Sequence, residues 1–287
     1  MKPEDVKKVG VIGCGIMGSG IVEVCAKAGT EVTFVEVDDE RVEQGQARIE
    51  KSVSKAVERG KLSEEDRAGI MGAVHGTTAI EEVAEADLVI EAITENLDAK
   101  LRVFRDLDRL TRDEAILATN TSSLPVIQMA TATKRPDKVV GTHFFNPPPV
   151  MKLLELVRAL TTSDETLDFA KGLGERLGKT TVVAKDRAGF IVNWLLSMYL
   201  NGATRMLEEG FATKEDIDTA VKLGLGHPLG PIELLDLIGL DTMLSVADVL
   251  YEEFKDPAFS APPLARRMVQ AGFLGRKTGK GFYDYKK

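Results

Sequence analysis

From the N-terminus to about Asp186, short apolar runs alternate with longer amphipathic stretches. Lys8–Gly13 (KVGVIG) predicts a buried strand, because a strand covered on both faces reads as a near-continuous apolar run. Met17–Ala28 has helical spacing and stops at Gly29, a natural residue for the position after a helix. Glu31–Val35 is the next strand, and Asp39 to about Glu58 the next helix. In Ser63-Glu64-Glu65-Asp66 a capping serine precedes acidic first-turn residues, a helix start favoured by the helix dipole. Val74–Thr78, Asp87–Glu91, Ala115–Thr119 and Val139–His143 continue the strand series. Strands separated by helices predict a parallel sheet covered on both faces.

Near Asp186-Arg187 the pattern changes: strand signals nearly vanish and long helical patterns take over. Ala188–Thr204 has no charged residue but contains two Asn, a Ser, a Thr and two Gly. It is too polar and short for a membrane span, which needs ~20 mostly apolar residues, so it predicts a buried helix. Asn193, Ser197, Asn201 and Thr204 share one stripe of that helix. A polar stripe on a buried helix is expected to face a cleft, a partner or water, with Asn193 aimed at a substrate oxygen. Thr213-Lys214-Glu215-Asp216 and Pro262-Pro263 mark further helix starts. The expected fold class is therefore α/β, with a Rossmann-type doubly wound domain over residues 1–186 and an all-α domain over residues 187–287.

Composition narrows the function. The chain has 287 residues, with 37 Lys and Arg against 45 Asp and Glu, a net charge of −8. That balance excludes a general nucleic-acid binder, which needs clustered cations to neutralise phosphates. Up to Asp186 the chain carries 25 cations against 32 anions, and beyond it 12 against 13, so the second part is nearly neutral and suited to docking. Two cysteines, Cys14 and Cys25, make neither a disulfide framework nor a four-cysteine zinc site; both are expected as small buried filler. The three histidines, His75, His143 and His227, lie far apart, and no metal site is expected. No apolar signal region precedes Val9, which predicts a cytoplasmic protein.

Gly13-Cys14-Gly15-Ile16-Met17-Gly18 is a G-x-G-x-x-G between a predicted strand and a predicted helix. The first glycine permits the tight turn, the second lets backbone approach a pyrophosphate, and the third lets the helix pack closely. The helix N-terminus then offers N–H groups and partial positive charge. Glu36 ends the second strand, downstream of Gly18 at the spacing where such a fingerprint carries its acid. A carboxylate there accepts from ribose hydroxyls and repels a 2′-phosphate, so NAD is expected over NADP.

His143 ends a strand and is followed by a rigid triple proline, Pro147-Pro148-Pro149. Open α/β sheets bind ligands at that carboxyl edge. Glu155 follows shortly after, inside the apolar run Leu153-Leu154-Glu155-Leu156-Val157. A carboxylate buried there needs a partner, and an imidazole suits it; the pair would make His143 a general acid/base near neutral pH. Ala118-Thr119-Asn120-Thr121-Ser122-Ser123-Leu124 is a second polar cluster at a strand end, where helix capping and ligand binding are both open.

Taken together these residues resemble the 3-hydroxyacyl-CoA dehydrogenase family. The resemblance spans essentially the whole chain and is carried by Gly13–Gly18, Glu91-Ala92-Ile93-Thr94-Glu95-Asn96, Asn120–Leu124, His143 to Val157, and the tail Gly275-Arg276-Lys277-Thr278-Gly279-Lys280-Gly281-Phe282-Tyr283. It implies an NAD-dependent enzyme that interconverts 3-hydroxyacyl-CoA, in particular 3-hydroxybutyryl-CoA, and 3-oxoacyl-CoA. His143 would be the acid/base with Glu155 as partner, and Ser122 and Asn193 would hydrogen-bond the reacting oxygen. Gly13, Gly15, Ile16, Met17, Gly18, Glu36, Glu95, Lys100, Asn120, Ser122 and Asn146 would contact the cofactor. Ser52, Lys55 and Arg59 lie on the segment that meets CoA in the family, and the C-terminal helices would form a homodimer. Two other readings of the scaffold remain open: a sugar-acid dehydrogenase of the L-gulonate type, with the His–Glu pair but no CoA groove, and a non-enzymatic nucleotide-binding or structural protein.

Overall fold

The computed structural model describes residues 1–285. Contacts between residues divide the chain into two compact units, Met1–Arg187 and a second beginning at Ala188.

The first unit runs β1 (Lys8–Ile12), α1 (Ile16–Lys27), β2 (Glu31–Val35), α2 (Asp39–Glu58), α3 (Glu64–Gly72), β3 (Val74–Thr77), β4 (Leu88–Glu91), α4 (Leu97–Leu110), β5 (Ile116–Thr119), α5 (Val126–Ala130), β6 (Val139–Phe144), β7 (Leu153–Arg158), α6 (Asp164–Arg176) and β8 (Thr180–Lys185). The strands form one sheet in the order β3-β2-β1-β4-β5-β6-β7-β8. The chain order reverses between β1 and β4, which is where doubly wound sheets open a crevice for ligands. Val11, Phe34, Ile90 and Leu117 on the strands, with Ile21, Val22 and Cys25 on α1, are fully buried and form part of the core. Asp38, Ser63 and Ser163 cap α2, α3 and α6 through their side chains, as polar residues ahead of amphipathic runs should.

One feature departs from the expected all-parallel sheet. β7 pairs antiparallel with β6, while the other pairs are parallel. The short Phe145–Lys152 connection cannot hold a crossover helix, so the chain can only turn back beside β6. At the far end Asp186 accepts from the N–H groups of Val126 and Ile127 at 2.8 and 2.7 Å, capping α5 from a distant point in the sequence.

The second unit is helical: α7 (Val192–Glu208), α8 (Lys214–Gly224), α9 (Pro231–Ile238), α10 (Leu240–Phe254) and α11 (Pro263–Gln270). α7 starts at Val192 rather than Ala188 because Gly189 and Phe190 have φ of +74° and +47°, outside helical space. Among the described residues no helix is long and apolar enough to cross a membrane. Three residues of the α7 polar stripe lie in the interior of this unit. Ser197, Asn201 and Thr204 are buried, and Asn201 Nδ2 donates to the carbonyl of Phe259 at 3.1 Å. Asn201 thus serves the turn at residues 257–260, whose carbonyls are also bound by Arg205, while Thr204 Oγ1 donates to the Leu200 carbonyl of its own helix at 2.9 Å.

The tail explains its own composition. Asp236 of α9 is fully buried and accepts from the N–H groups of Phe282 and Tyr283, both at 2.9 Å, and from the Tyr285 hydroxyl at 3.1 Å. Gly275 and Gly281 pass so close that a Cβ would lie 2.3 Å from the Asp236 carbonyl oxygen and 1.9 Å from its Oδ1. The tail glycines are therefore dictated by packing.

Candidate active site

The fingerprint turn leaves β1 at Gly13, whose φ of +91° is left-handed space that glycine enters without strain. A Cβ on Gly18 would lie 1.9 Å from the Gly13 carbonyl oxygen, so α1 sits directly on the turn. A Cβ on Gly15 would meet nothing within 4 Å, and Ile16 beside it is 70% exposed, so the turn opens on its outer side. α1 begins with no side-chain cap and no acidic first-turn residue. Its first N–H groups thus present an uncompensated positive end, with Met17 in the same turn. Glu36 follows β2, and its Oε1 accepts from the Cys14 N–H at 2.6 Å, fastening a carboxylate to the glycine turn. Open backbone, a helix N-terminus and a fixed acid together fit the pyrophosphate and ribose of a dinucleotide. Cys14 and Cys25 are buried, and burial pushes both thiols up to about 12.

At the ends of β4 and β5 the backbone delivers a polar network. Glu91 ends β4 fully buried, and its Oε1 accepts from Lys100 Nζ at 2.6 Å and from the Ile93 N–H at 2.7 Å. Its Oε2 accepts from Thr119 Oγ1 at 2.7 Å. Lys100, on α4, is itself fully buried and also lies 3.4 Å from Glu95 Oε2. Glu95 Oε1 accepts from Thr121 Oγ1 at 2.6 Å and from the N–H groups of Ser122 and Ser123 at 2.9 and 3.1 Å. Burial alone would raise the Glu95 carboxyl. The Lys100 charge and these donors outweigh it and hold Glu95 below its ordinary value. The loop carrying Ser122 is thereby strapped to an anion at the end of β4. Glu91 is a functional candidate missed above, although a carboxylate closing the apolar strand Leu88–Glu91 is the same signal that singles out Glu155.

His143 and Glu155 are register partners in the antiparallel β6–β7 pair. His143 Nδ1 lies 2.7 Å from Glu155 Oε2, with the histidine 6% exposed and the carboxylate fully buried. In the neutral ring Nδ1–H donates to the carboxylate, so Nε2 is the basic nitrogen. The Phe145 ring packs at 4.6 Å between centroids and limits imidazole rotation. Asn120, after β5, accepts from the Phe144 N–H at 2.9 Å through Oδ1. That bond ties the Ser122 loop to the His143 strand. Beyond them Asn146 and Pro147–Pro149 wall a cavity of about 180 Å³ that Ile16, Gly20 and Ser52 also line.

The fold thus gathers Gly13 through Gly18, Glu36, Glu95, Lys100, Asn120, Ser122, His143, Asn146 and Glu155 at one carboxyl edge of one sheet. Ser52 joins them across the cavity, whereas Lys55 on α2 and Arg59 just beyond its end are exposed and do not line it. Asn193 lies in the first turn of α7, in the second unit, half-buried. His75 bonds Glu82 on the surface at 2.9 Å, and His227 faces Tyr199, its Nδ1 3.3 Å from the hydroxyl.

Comparison with known proteins gives this arrangement its context. Residues 8–187 match the 3-hydroxyacyl-CoA dehydrogenase NAD binding domain, and residues 189–285 match the 3-hydroxyacyl-CoA dehydrogenase C-terminal domain. The chain belongs to the 3-hydroxyacyl-CoA dehydrogenase family. It is an NAD-dependent oxidoreductase of that family. It is 49% identical to a 3-hydroxybutyryl-CoA dehydrogenase of Mycobacterium tuberculosis (strain CDC 1551 / Oshkosh), over 98% of this chain and 99% of the relative. It is 44% identical to a probable 3-hydroxybutyryl-CoA dehydrogenase of Bacillus subtilis (strain 168), over 98% of both chains. The crystal structure of (S)-3-hydroxybutyryl-CoA dehydrogenase from Ralstonia eutropha superposes with a TM-score of 0.95 at 43% identity, covering 99% of this chain and 100% of that one. The Rossmann-type fold with a helical second unit, inferred from patterning, is the fold of this family.

Proposed function

We propose that the chain interconverts (S)-3-hydroxyacyl-CoA, foremost 3-hydroxybutyryl-CoA, and the 3-oxoacyl-CoA, with His143 and Glu155 as the acid/base pair. The observation that carries the reading is the 2.7 Å Nδ1–Oε2 contact at the carboxyl edge, beside the Ser122 loop and the glycine turn. Full-length relatives named for 3-hydroxybutyryl-CoA favour a thioester over a sugar acid.

Bound NAD supplies the hydride acceptor at its nicotinamide. Neutral His143 takes the hydroxyl proton on Nε2 as hydride leaves C3, and the buried Glu155 carboxylate stabilises the imidazolium that forms. In reduction the imidazolium returns the proton to the developing alkoxide. Ser122, held by Glu95, donates a hydrogen bond to that oxygen, where negative charge accumulates in the transition state. Asn193 enters the proposal as a second donor through the family resemblance. Glu36 orients the adenosine ribose and excludes a 2′-phosphate.

We further infer a homodimer formed through the second unit. Leu223, Phe211 and Leu225 there are 82%, 77% and 65% exposed, apolar side chains that self-association would cover. Sedimentation at micromolar concentration tests this, and a monomer would refute it. Two buried free thiols support a reducing, cytoplasmic setting.

The deciding experiment follows NADH absorbance with acetoacetyl-CoA, then with NADPH and with free acetoacetate. Rapid oxidation of NADH by the thioester alone is expected. No reaction with the thioester would remove this function.

A further inference from the structure

Arg102, Arg105 and Arg109 fall on one stripe of α4, turned away from the face that buries Phe104 and Leu107. Asp98 and Asp106 stand four residues to either side of Arg102, the spacing at which opposite charges pair along a solvated helix face. Neither pairs with it. Asp106 is taken by Arg109, and among the described residues Arg102 and Arg105 have no ion-pair or hydrogen-bond partner. The stripe borders a cavity of about 490 Å³, whose other wall is Ala132, Thr133 and Lys134 in the turn after α5.

That wall is fastened from beneath. The buried Arg135 donates through Nε to Asp108 Oδ1 at 3.1 Å, and through Nη2 to the carbonyls of Asp108 and Thr111 at 2.7 and 3.1 Å. The Lys134 N–H donates to Asp108 Oδ2 at 3.0 Å. The two carboxylates that line the cavity are therefore already engaged, Asp108 by a buried guanidinium that does not line it and Asp106 by Arg109. The charge left over is that of Arg102, Arg105 and Lys134, three cations around one concavity. It runs against its surroundings, because acidic side chains outnumber basic ones between Met1 and Asp186. Like charges held by a fixed wall repel one another, and a cleft of one sign concentrates the opposite ion.

The place is separate from the chemistry. α4 leaves the carboxyl edge of the sheet after β4 and ends at the amino edge ahead of β5, and Lys134 stands at that same edge ahead of β6. The glycine turn, Ser122 and His143 lie at the carboxyl edge. We propose that this cavity binds a small molecule through a diphosphate group, apart from the cofactor turn and the reacting oxygen. Guanidinium forks take phosphate oxygens in pairs, and the Lys134 ammonium adds a point charge from the facing wall. The volume falls in the range of small-molecule sites, roughly 300–1,000 Å³, and leaves room for more than the diphosphate itself.

The test is calorimetric titration of pyrophosphate into the full chain loaded with one equivalent of NADH, so that the cofactor turn is filled, at about 0.15 M salt to screen loose attraction. The wild type should bind it. The variant R102Q/R105Q should bind at least tenfold more weakly, with its melting temperature and its KM for NADH unchanged, because both positions are exposed and glutamine suits a helix. A matched variant, K51Q/K61Q, removes two exposed charges elsewhere and should bind as the wild type does. Repeating the titration with ADP tells the two sources of a diphosphate apart: tighter binding than pyrophosphate supports a nucleotide, and weaker binding supports a free diphosphate. No binding by the NADH-loaded wild type, undiminished binding by R102Q/R105Q, or an equal loss in K51Q/K61Q would overturn the proposal.

Discussion

His143 Nδ1 meets Glu155 Oε2 at 2.7 Å because the two residues face each other across the antiparallel β6–β7 pair. The antiparallel return after the short Phe145–Lys152 connection lets two residues close in the sequence face each other without a crossover helix. Replacing His143 by Ala should lower turnover by about 10²–10⁴-fold while cofactor affinity is retained. Glu155→Gln keeps the shape but offers no charge to the imidazolium, and a loss of about 10²-fold is expected. Steady-state kinetics with acetoacetyl-CoA, alongside NADH titration by fluorescence, measures both. Near-wild-type turnover in His143→Ala would take the histidine out of the chemistry.

Glu36 is held by the Cys14 N–H and so stands where an adenosine ribose would meet it. Glu36→Ser removes the acceptor for the ribose hydroxyls and the repulsion of a 2′-phosphate. The KM for NADH should rise roughly tenfold, the worth of one charge-assisted hydrogen bond, and the preference over NADPH should shrink. The ratio of kcat/KM values for the two cofactors reads this directly; an unchanged ratio would mean Glu36 serves the turn alone.

Lys100 and Glu91 form a fully buried pair at 2.6 Å. Removing one partner strands the other charge in the interior. Lys100→Met should therefore cost about 3–5 kcal/mol of stability. The double variant Lys100→Met/Glu91→Gln should recover part of the loss, because the fully buried carboxylate is gone, and only part, because Glu95 also loses the Lys100 charge. Urea unfolding of the three proteins tests the coupling.

Much of the first unit is legible in the sequence because its strands are buried on both faces and punctuated by glycines and caps. β1, β4, β5 and β6 read as continuous apolar runs. β8 does not, because Thr180–Lys185 is an edge strand that opens on two threonines and leaves Val183 43% exposed. The direction of β7 is invisible as well, since side-chain alternation is the same for either sense of pairing. One buried charge among leucines is enough to anticipate the His143–Glu155 contact, and the same argument applies to Glu91 at the end of β4. The partners of the α7 stripe are illegible for a different reason. A buried polar group needs a partner, and backbone carbonyls of a neighbouring turn satisfy it as well as a cleft would.

The tail offers a stability test in the second unit. Asp236 gathers two backbone N–H groups and the Tyr285 hydroxyl. Asp236→Ala leaves three donors unsatisfied, at about 1–3 kcal/mol each before relaxation. Gly281→Ala forces a methyl group into the same carboxylate. Both variants should melt well below the wild type in calorimetry, whereas Lys280→Ala, at an exposed position, should not.

Glu95 gives the pH dependence. Its carboxyl is held below its ordinary value of 4.5 because the Lys100 charge, the Thr121 hydroxyl and two backbone N–H groups outweigh burial. A carboxylate depressed by folding stabilises the native state above its unfolded pKa, and that stability is lost as pH falls through the folded value. Glu95→Gln should therefore lower the urea midpoint at pH 7. The gap to the wild type should narrow steadily as pH drops below about 4.5, the range in which the wild-type carboxylate takes up its proton. The Ser122 loop is the element strapped by this anion, so kcat with acetoacetyl-CoA should fall in the variant even where the fold is intact. A midpoint difference that is the same at pH 7 and pH 4 would show that Glu95 contributes shape and not charge.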